Sequence, residues 1–169
     1  EEVWREFYKT EIKDFLLKFI LLFSLTIESR EGAIYAIMTY PVVSRFCSVV
    51  SCASSPYARG SGMGKTFVDN TKICGLIVAT VITFLYTVGI IFTPYILFSN
   101  YSLPVEFIIK IVFIIVIIIA LLALFAYAFS KLIERKIGGI TGDTLGALLE
   151  ISGLVYIFLL LVIPSFFLG

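Results

Sequence analysis

Long apolar runs, separated by short polar stretches, set the pattern of this chain. Ile111–Phe129 and Ile151–Gly169 each extend 19 residues without a charge, and about 18 apolar residues are enough for a helix to cross a bilayer. Reading for such runs predicts five helices, at Phe15–Ile27, Gly32–Ala53, Ile73–Phe98, Val105–Phe129 and Thr144–Leu168. The first has 13 residues and carries Lys18. It spans only if Lys13 and Glu28 at its flanks reach toward the headgroups, and otherwise lies in the interface. Pro104 precedes the fourth segment, whereas Pro41, Pro94 and Pro164 fall inside helices and predict kinks. The expected architecture is an all-α polytopic membrane bundle of about five transmembrane helices, forming a single membrane domain over residues 1–169. No internal repeat interrupts it, and the longest polar connection is Ser54–Lys72.

Composition excludes a soluble fold: 60% of the 169 residues are hydrophobic and 15% charged, against roughly a quarter charged in soluble domains. Mean hydropathy is +1.06. The net charge of +1 comes from dispersed basic residues, which is no footprint for nucleic acid. The three cysteines, Cys47, Cys52 and Cys74, lack C-x-x-C spacing and read as small apolar filler. There is no histidine, so imidazole acid–base chemistry and imidazole-ligated metals are excluded. The chain begins at Glu1 with a hydrophilic stretch and no visible signal peptide, and reads as a fragment.

Lysine and arginine distribution orients the helices. Ten fall on one side: Arg5, Lys9, Lys13 and Lys18, then Arg59, Lys65 and Lys72, then Lys131, Arg135 and Lys136. Arg30 and Lys110 fall on the other, and Arg45 remains inside a span. The N-terminus and the 54–72 and 130–143 loops are therefore expected in the cytoplasm, and the C-terminus outside.

Candidate chemistry concentrates in Gly138-Gly139-Ile140-Thr141-Gly142-Asp143-Thr144-Leu145-Gly146-Ala147-Leu148-Leu149-Glu150. Glycines before a helix let a ligand approach the backbone, and the helix start offers unpaired N–H groups, a combination suited to phosphate; the alternative is a flexible interhelical turn. Asp143, Gly146, Ala147, Glu150 and Gly153 share one helical face. Glu150 lies ~10 Å below Asp143, and Arg45 reaches a comparable ~12 Å below Ala53, at 1.5 Å per residue. Arg45 and Glu150 are therefore expected to pair or to share a polar cavity, with a purely structural ion pair as the alternative. In the other loop, Gly64-Lys65-Thr66 ends like a phosphate-binding loop, but Arg59 stands where that motif needs glycine and no strand precedes it. Arg59 and Lys65 remain candidate phosphate contacts, with ordinary anchoring as the alternative.

These residues resemble the cobalamin synthase family, the adenosylcobinamide-GDP ribazoletransferases. The 138–150 segment resembles the family's GGxTGDxLGAxxE signature. Pro41-Val42-Val43-Ser44-Arg45-Phe46, Pro56-Tyr57-Ala58-Arg59 and Gly62-Met63-Gly64 resemble its P-x-x-x-R-W, PYAR and G-L-G pattern. The likeness runs from about Thr39 to the C-terminus and is faint over Glu1–Asp14. It implies a magnesium-dependent transfer at the cell membrane: α-ribazole, or its phosphate, attacks the cobinamide-side phosphorus of adenosylcobinamide-GDP and expels GMP. It further implies Asp143, Glu150 and Arg45 as catalytic residues, Asp143 as a Mg²⁺ ligand, and Arg59, Lys65, Tyr57, Gly139, Thr141 and Gly142 as phosphate contacts. The implied partners are the two small-molecule substrates and the lipid bilayer, with no nucleic acid, and the sequence admits an oligomer. An acidic G-G-L-H-x-D-G-x-x-D segment that the family associates with magnesium has no match here. Two other readings therefore stand beside the transferase: a transporter or channel subunit, and an inactive fragment or helical assembly partner.

Overall fold

The computed structural model describes residues 2–97 and 104–168, so Phe98, the expected end of the third run, lies outside the described residues. Among the described residues six helices follow one another: α1 Glu2–Glu28, α2 Arg30–Ser54, α3 Met63–Asn70, α4 Ile73–Leu97, α5 Val105–Ile137 and α6 Gly142–Leu168. Among the described residues, α2, α4, α5 and α6 are long and apolar enough to cross a membrane. The protein is an all-α, multi-pass membrane bundle. Helix α1 carries the short apolar run inside a much longer helix. It turns into α2 through Ser29, whose hydroxyl accepts the Gly32 N–H at 3.0 Å and so caps α2.

Helix α5 has 33 residues, about 50 Å at 1.5 Å per residue, well beyond the ~30 Å of a hydrocarbon core. Its last turns therefore project past the apolar layer. Lys131, Arg135 and Lys136, expected on a loop, lie on this helical extension. The 54–72 connection likewise contains α3, whose eight residues make too few turns to establish a period.

Helix α2 sits at the centre, packed on α1, α4, α5 and α6. Val43, Phe46, Cys47 and Val50 present one face of it to Ile115, Ile118, Ile119, Leu122 and Ala126 of α5 and to Leu148 and Tyr156 of α6. Two pairs of polar side chains in this interior bond across helices. The Thr39 and Tyr156 hydroxyls share a hydrogen bond of 2.5 Å, and the Ser130 hydroxyl donates to Ser51 Oγ at 2.7 Å. The Tyr40 ring lies directly on Gly153, where any side chain would overlap it, so α2 and α6 cross closely at that point. Cys47 and Cys52 are buried and Cys74 is exposed, all three as free thiols.

At the far end from the motif turns, a cavity of about 480 Å³ runs between the start of α2 and α5 and the second half of α6, with Glu28 and Glu31 on its lining. Neither Arg45 nor Glu150 lines it.

Leu122 is fully buried between helices whereas Leu124, half a turn away, is 63% exposed on the outer face. Leu122→Ala should therefore cost about 2–5 kcal/mol through the cavity it leaves, read as a lowered thermal midpoint in detergent, while Leu124→Ala leaves the midpoint unchanged.

Candidate functional site

Two turns that are eighty residues apart in sequence are joined at one end of the bundle. Helix α2 stops at Ser54 because Pro56 cannot continue it. Helix α5 stops at Gly138, which adopts the left-handed conformation (φ 80°, ψ 8°) and returns its N–H to Glu134 O at 2.8 Å. The two emerging strands of chain then pair in parallel. Ala58 N–H donates to Ile140 O at 2.9 Å, and Ile140 N–H donates to Pro56 O at 2.8 Å. Ile140 is almost wholly buried, packed with Cys52 of α2 and Val68 of α3 beneath the pairing.

Gly139 makes this approach possible. Its φ is +157°, and a Cβ there would sit 2.5 Å from Pro56 O and 2.8 Å from Ala58 N. No other residue type fits without separating the turns. A second set of contacts braces the same junction: Lys131 Nζ donates to Ser54 O at 2.7 Å and to Glu134 Oε2 at 2.8 Å, and the Ser55 hydroxyl donates to that same oxygen at 2.7 Å.

The pairing delivers α6 in a fixed attitude. Thr141 caps it reciprocally: Thr144 N–H donates to Thr141 Oγ1 at 3.3 Å, and Thr141 N–H donates to Thr144 Oγ1 at 2.8 Å. Asp143 follows in the first turn, where a carboxylate is favoured by the helix dipole. Arg59 Nη2 lies 3.7 Å from Asp143 Oδ2, with side chains 65% and 87% exposed. An ion pair so open contributes about 0–1 kcal/mol. It is too weak to hold the turns together and free to open toward a ligand, whereas the backbone pairing is the structural tie.

The remaining expected contacts divide. Gly142 lies open beside Asp143. Lys65, in the first turn of α3, donates from Nζ to Gly60 O at 2.9 Å and so folds back toward the residue after Arg59. The Tyr57 ring packs on Gly62 and Gly64, each of which would clash with it if it bore a Cβ. This explains the glycine pair in mechanical terms and gives Tyr57 a packing role. Thr141 is buried and its hydroxyl is engaged in the cap.

The expected pairing of Arg45 with Glu150 is corrected. Glu150 is bonded to Lys18 of α1, while Arg45 is exposed and forms no ion pair among the described residues. Matching depths along two helices says nothing about rotation: Arg45 lies five residues, about 140° around the helix, from Tyr40, one of the α2 residues that meet α6. Lys18 was counted as a headgroup cation. The signal that could have found it was its place inside an apolar run, since a charge at such depth needs a partner.

A family model described as Cobalamin-5-phosphate synthase matches residues 12–161. An adenosylcobinamide-GDP ribazoletransferase of Fusobacterium nucleatum is 84% identical over 155 residues, covering 92% of this chain and 56% of that protein. Enzymes of the same name from Clostridium novyi and Clostridium acetobutylicum are 32% and 34% identical over 149 and 122 residues, covering 88% and 72% of this chain and 50% and 40% of theirs. The chain thus spans about half the length of the curated relatives it matches. No solved structure matches it.

Gly139→Ala should force the turns apart and cost about 1–3 kcal/mol in strain, measured as a lower thermal midpoint with faster proteolysis between residues 55 and 72. Gly60→Ala, in open space, serves as the unchanged control.

Proposed function

This chain belongs to the Cobalamin-5-phosphate synthase family, and from that premise we propose that its paired turns hold the diphosphate of adenosylcobinamide-GDP while α-ribazole, or its 5′-phosphate, displaces GMP. One observation carries the reading. The Arg59 guanidinium and the Asp143 carboxylate, from two separate motifs, stand 3.7 Å apart at the mouth of a helix start. Transfer at phosphorus is governed mainly by positioning and by charges facing the phosphate oxygens, and this end of the bundle offers both.

Arg59 supplies a planar, bidentate donor for phosphate oxygens, and Lys65 a point charge on the same loop. The Thr144 N–H is taken by the Thr141 cap, and the remaining first-turn N–H groups of α6, at Gly142 and Asp143, have no partners within the helix and favour an anion. Gly139, Thr141 and Tyr57 act by shaping the backbone rather than by touching phosphate. An incoming diphosphate takes over Arg59 and leaves Asp143 free for a cation.

Mg²⁺ fits that arrangement through a single residue. Among the described residues no group of three His, Cys, Asp or Glu side chains is assembled for a metal, but Mg²⁺ commonly keeps several waters and uses one or two carboxylates plus substrate phosphates. Asp143 is the carboxylate placed for this, and the bound ion would neutralise charge on the phosphate oxygens. The relatives' additional length leaves room for further ligands.

The face bearing the turns is proposed to be cytoplasmic. Lys18 leaves the charge count because it is bonded inside the bundle, so ten becomes nine, against Arg30 and Lys110; the asymmetry remains.

In the full reading frame, Asp143→Ala should abolish ribazole transfer without changing membrane insertion. Arg59→Lys, which keeps charge but loses the fork, should lower kcat/KM about 10- to 100-fold, or about 1.4–2.8 kcal/mol. Liposomes carrying the protein, assayed for Mg²⁺-dependent GMP release and for substrate flux, check the reaction class: release without flux is expected, and flux without release contradicts it.

A further inference from the structure

Lys18, Tyr40 and Glu150 bring three helices, α1, α2 and α6, to one point. The Lys18 ammonium donates to the Glu150 carboxylate and, at 3.3 Å, to the Tyr40 hydroxyl, and it lies 5.5 Å from the centre of the Tyr40 ring. The lysine side chain is only 19% exposed, against 54% for the glutamate. A lysine at a membrane edge would extend to the headgroups. This one turns inward to a carboxylate and an aromatic face, and the same aromatic ring is seated on Gly153 of α6.

Glu150 and Asp143 are seven residues apart, two helical turns on one face and ~10 Å along the axis. The backbone pairing at Ile140 and the Thr141 cap hold the start of α6, and Gly153 and Tyr156 seat its middle on α2. Glu150 lies between these attachments and adds a charged one, to α1, on the face that carries Asp143. Rotation of α6 by one residue, about 100°, would carry Asp143 away from Arg59.

We propose that Lys18 is a positioning residue for the transfer site: by holding Glu150 against Tyr40 it sets the rotation and depth of α6, and thereby the placement of Asp143 opposite Arg59. The proposal rests on the reading of that pair as the phosphate and metal clasp. It assigns Glu150 a mechanical role instead of contact with the reacting groups, and it gives α1 a function in the site although none of its residues lies in either motif.

The test combines turnover with a distance that needs no substrate. In a Cys74→Ser background, with Cys47 and Cys52 buried, spin labels at Gly60→Cys and Gly146→Cys occupy open positions and report the spacing of the two turns. Turnover is measured on the unlabelled proteins in the full reading frame. Lys18→Met should broaden or shift the spin–spin distance and lower kcat about 10- to 100-fold with KM changed less than about twofold. Lys18→Arg should keep both near the parent values, and the exchange Lys18→Glu with Glu150→Lys should restore distance and turnover together. An unchanged distance in Lys18→Met overturns the proposal. So does an exchange that restores the distance but not turnover, which would place Glu150 in contact with substrate. If Lys18→Met fails to insert, the exchange decides alone. Absence of transfer in the parent protein overturns the transferase reading, while the distances still decide the role of Lys18.

Discussion

Two backbone hydrogen bonds, Ala58 to Ile140 and Ile140 to Pro56, are the constraint on which this structure's chemistry depends. Each turn alone is an ordinary helix connection. Joined, they turn a proline-terminated helix end and a glycine-terminated helix end into one surface. The joint is possible only because Gly139 has no side chain to push Pro56 and Ala58 away. Ile140 seals it from below against Cys52 and Val68, and Lys131 with Glu134 ties the spent end of α2 to α5 alongside. The Arg59–Asp143 pair above can then be weak and exposed, because the backbone tie leaves it no structural duty.

The helices below serve the same end. In a bilayer, apolar surface gives little reason for one helix to prefer another, so rotation is set by close packing and polar contacts. Helix α2 meets its neighbours through Thr39 and Tyr156, Ser51 and Ser130, and the Tyr40 ring on Gly153. These contacts fix where the two emerging turns must leave the bundle. The apolar lining of Ile, Val and Leu fills the space between them without choosing the arrangement.

Much of this is legible in the sequence. Apolar runs long enough to span announce α2, α4, α5 and α6, with Arg45 a charge inside the first of them. The glycine signature around Asp143 and the Pro56–Arg59 turn pointed to one site, and charge asymmetry put both on one side. What the sequence concealed was rotation and attachment. Depth counted from helix ends paired Arg45 with Glu150, but depth is one coordinate and the helical face is another, so the true partner on α1 was passed over. The packing of Tyr57 on Gly62 and Gly64 and the capping by Thr141 depend on neighbours that no linear pattern displays. Helix α3 was missed because eight residues of mixed polarity carry too few turns to establish a period.

The central claim, that the two motif turns lie together on a single face of the membrane, is tested most directly by sided labelling. Single cysteines at Gly60 and at Gly142, both open to solvent and introduced with Cys74→Ser, are exposed to a membrane-impermeant maleimide from one side of sealed vesicles and then from the other. Reaction of both positions from the same side, and of neither from the opposite side, is the result expected. Labelling of the two positions from opposite sides would contradict the account at its root.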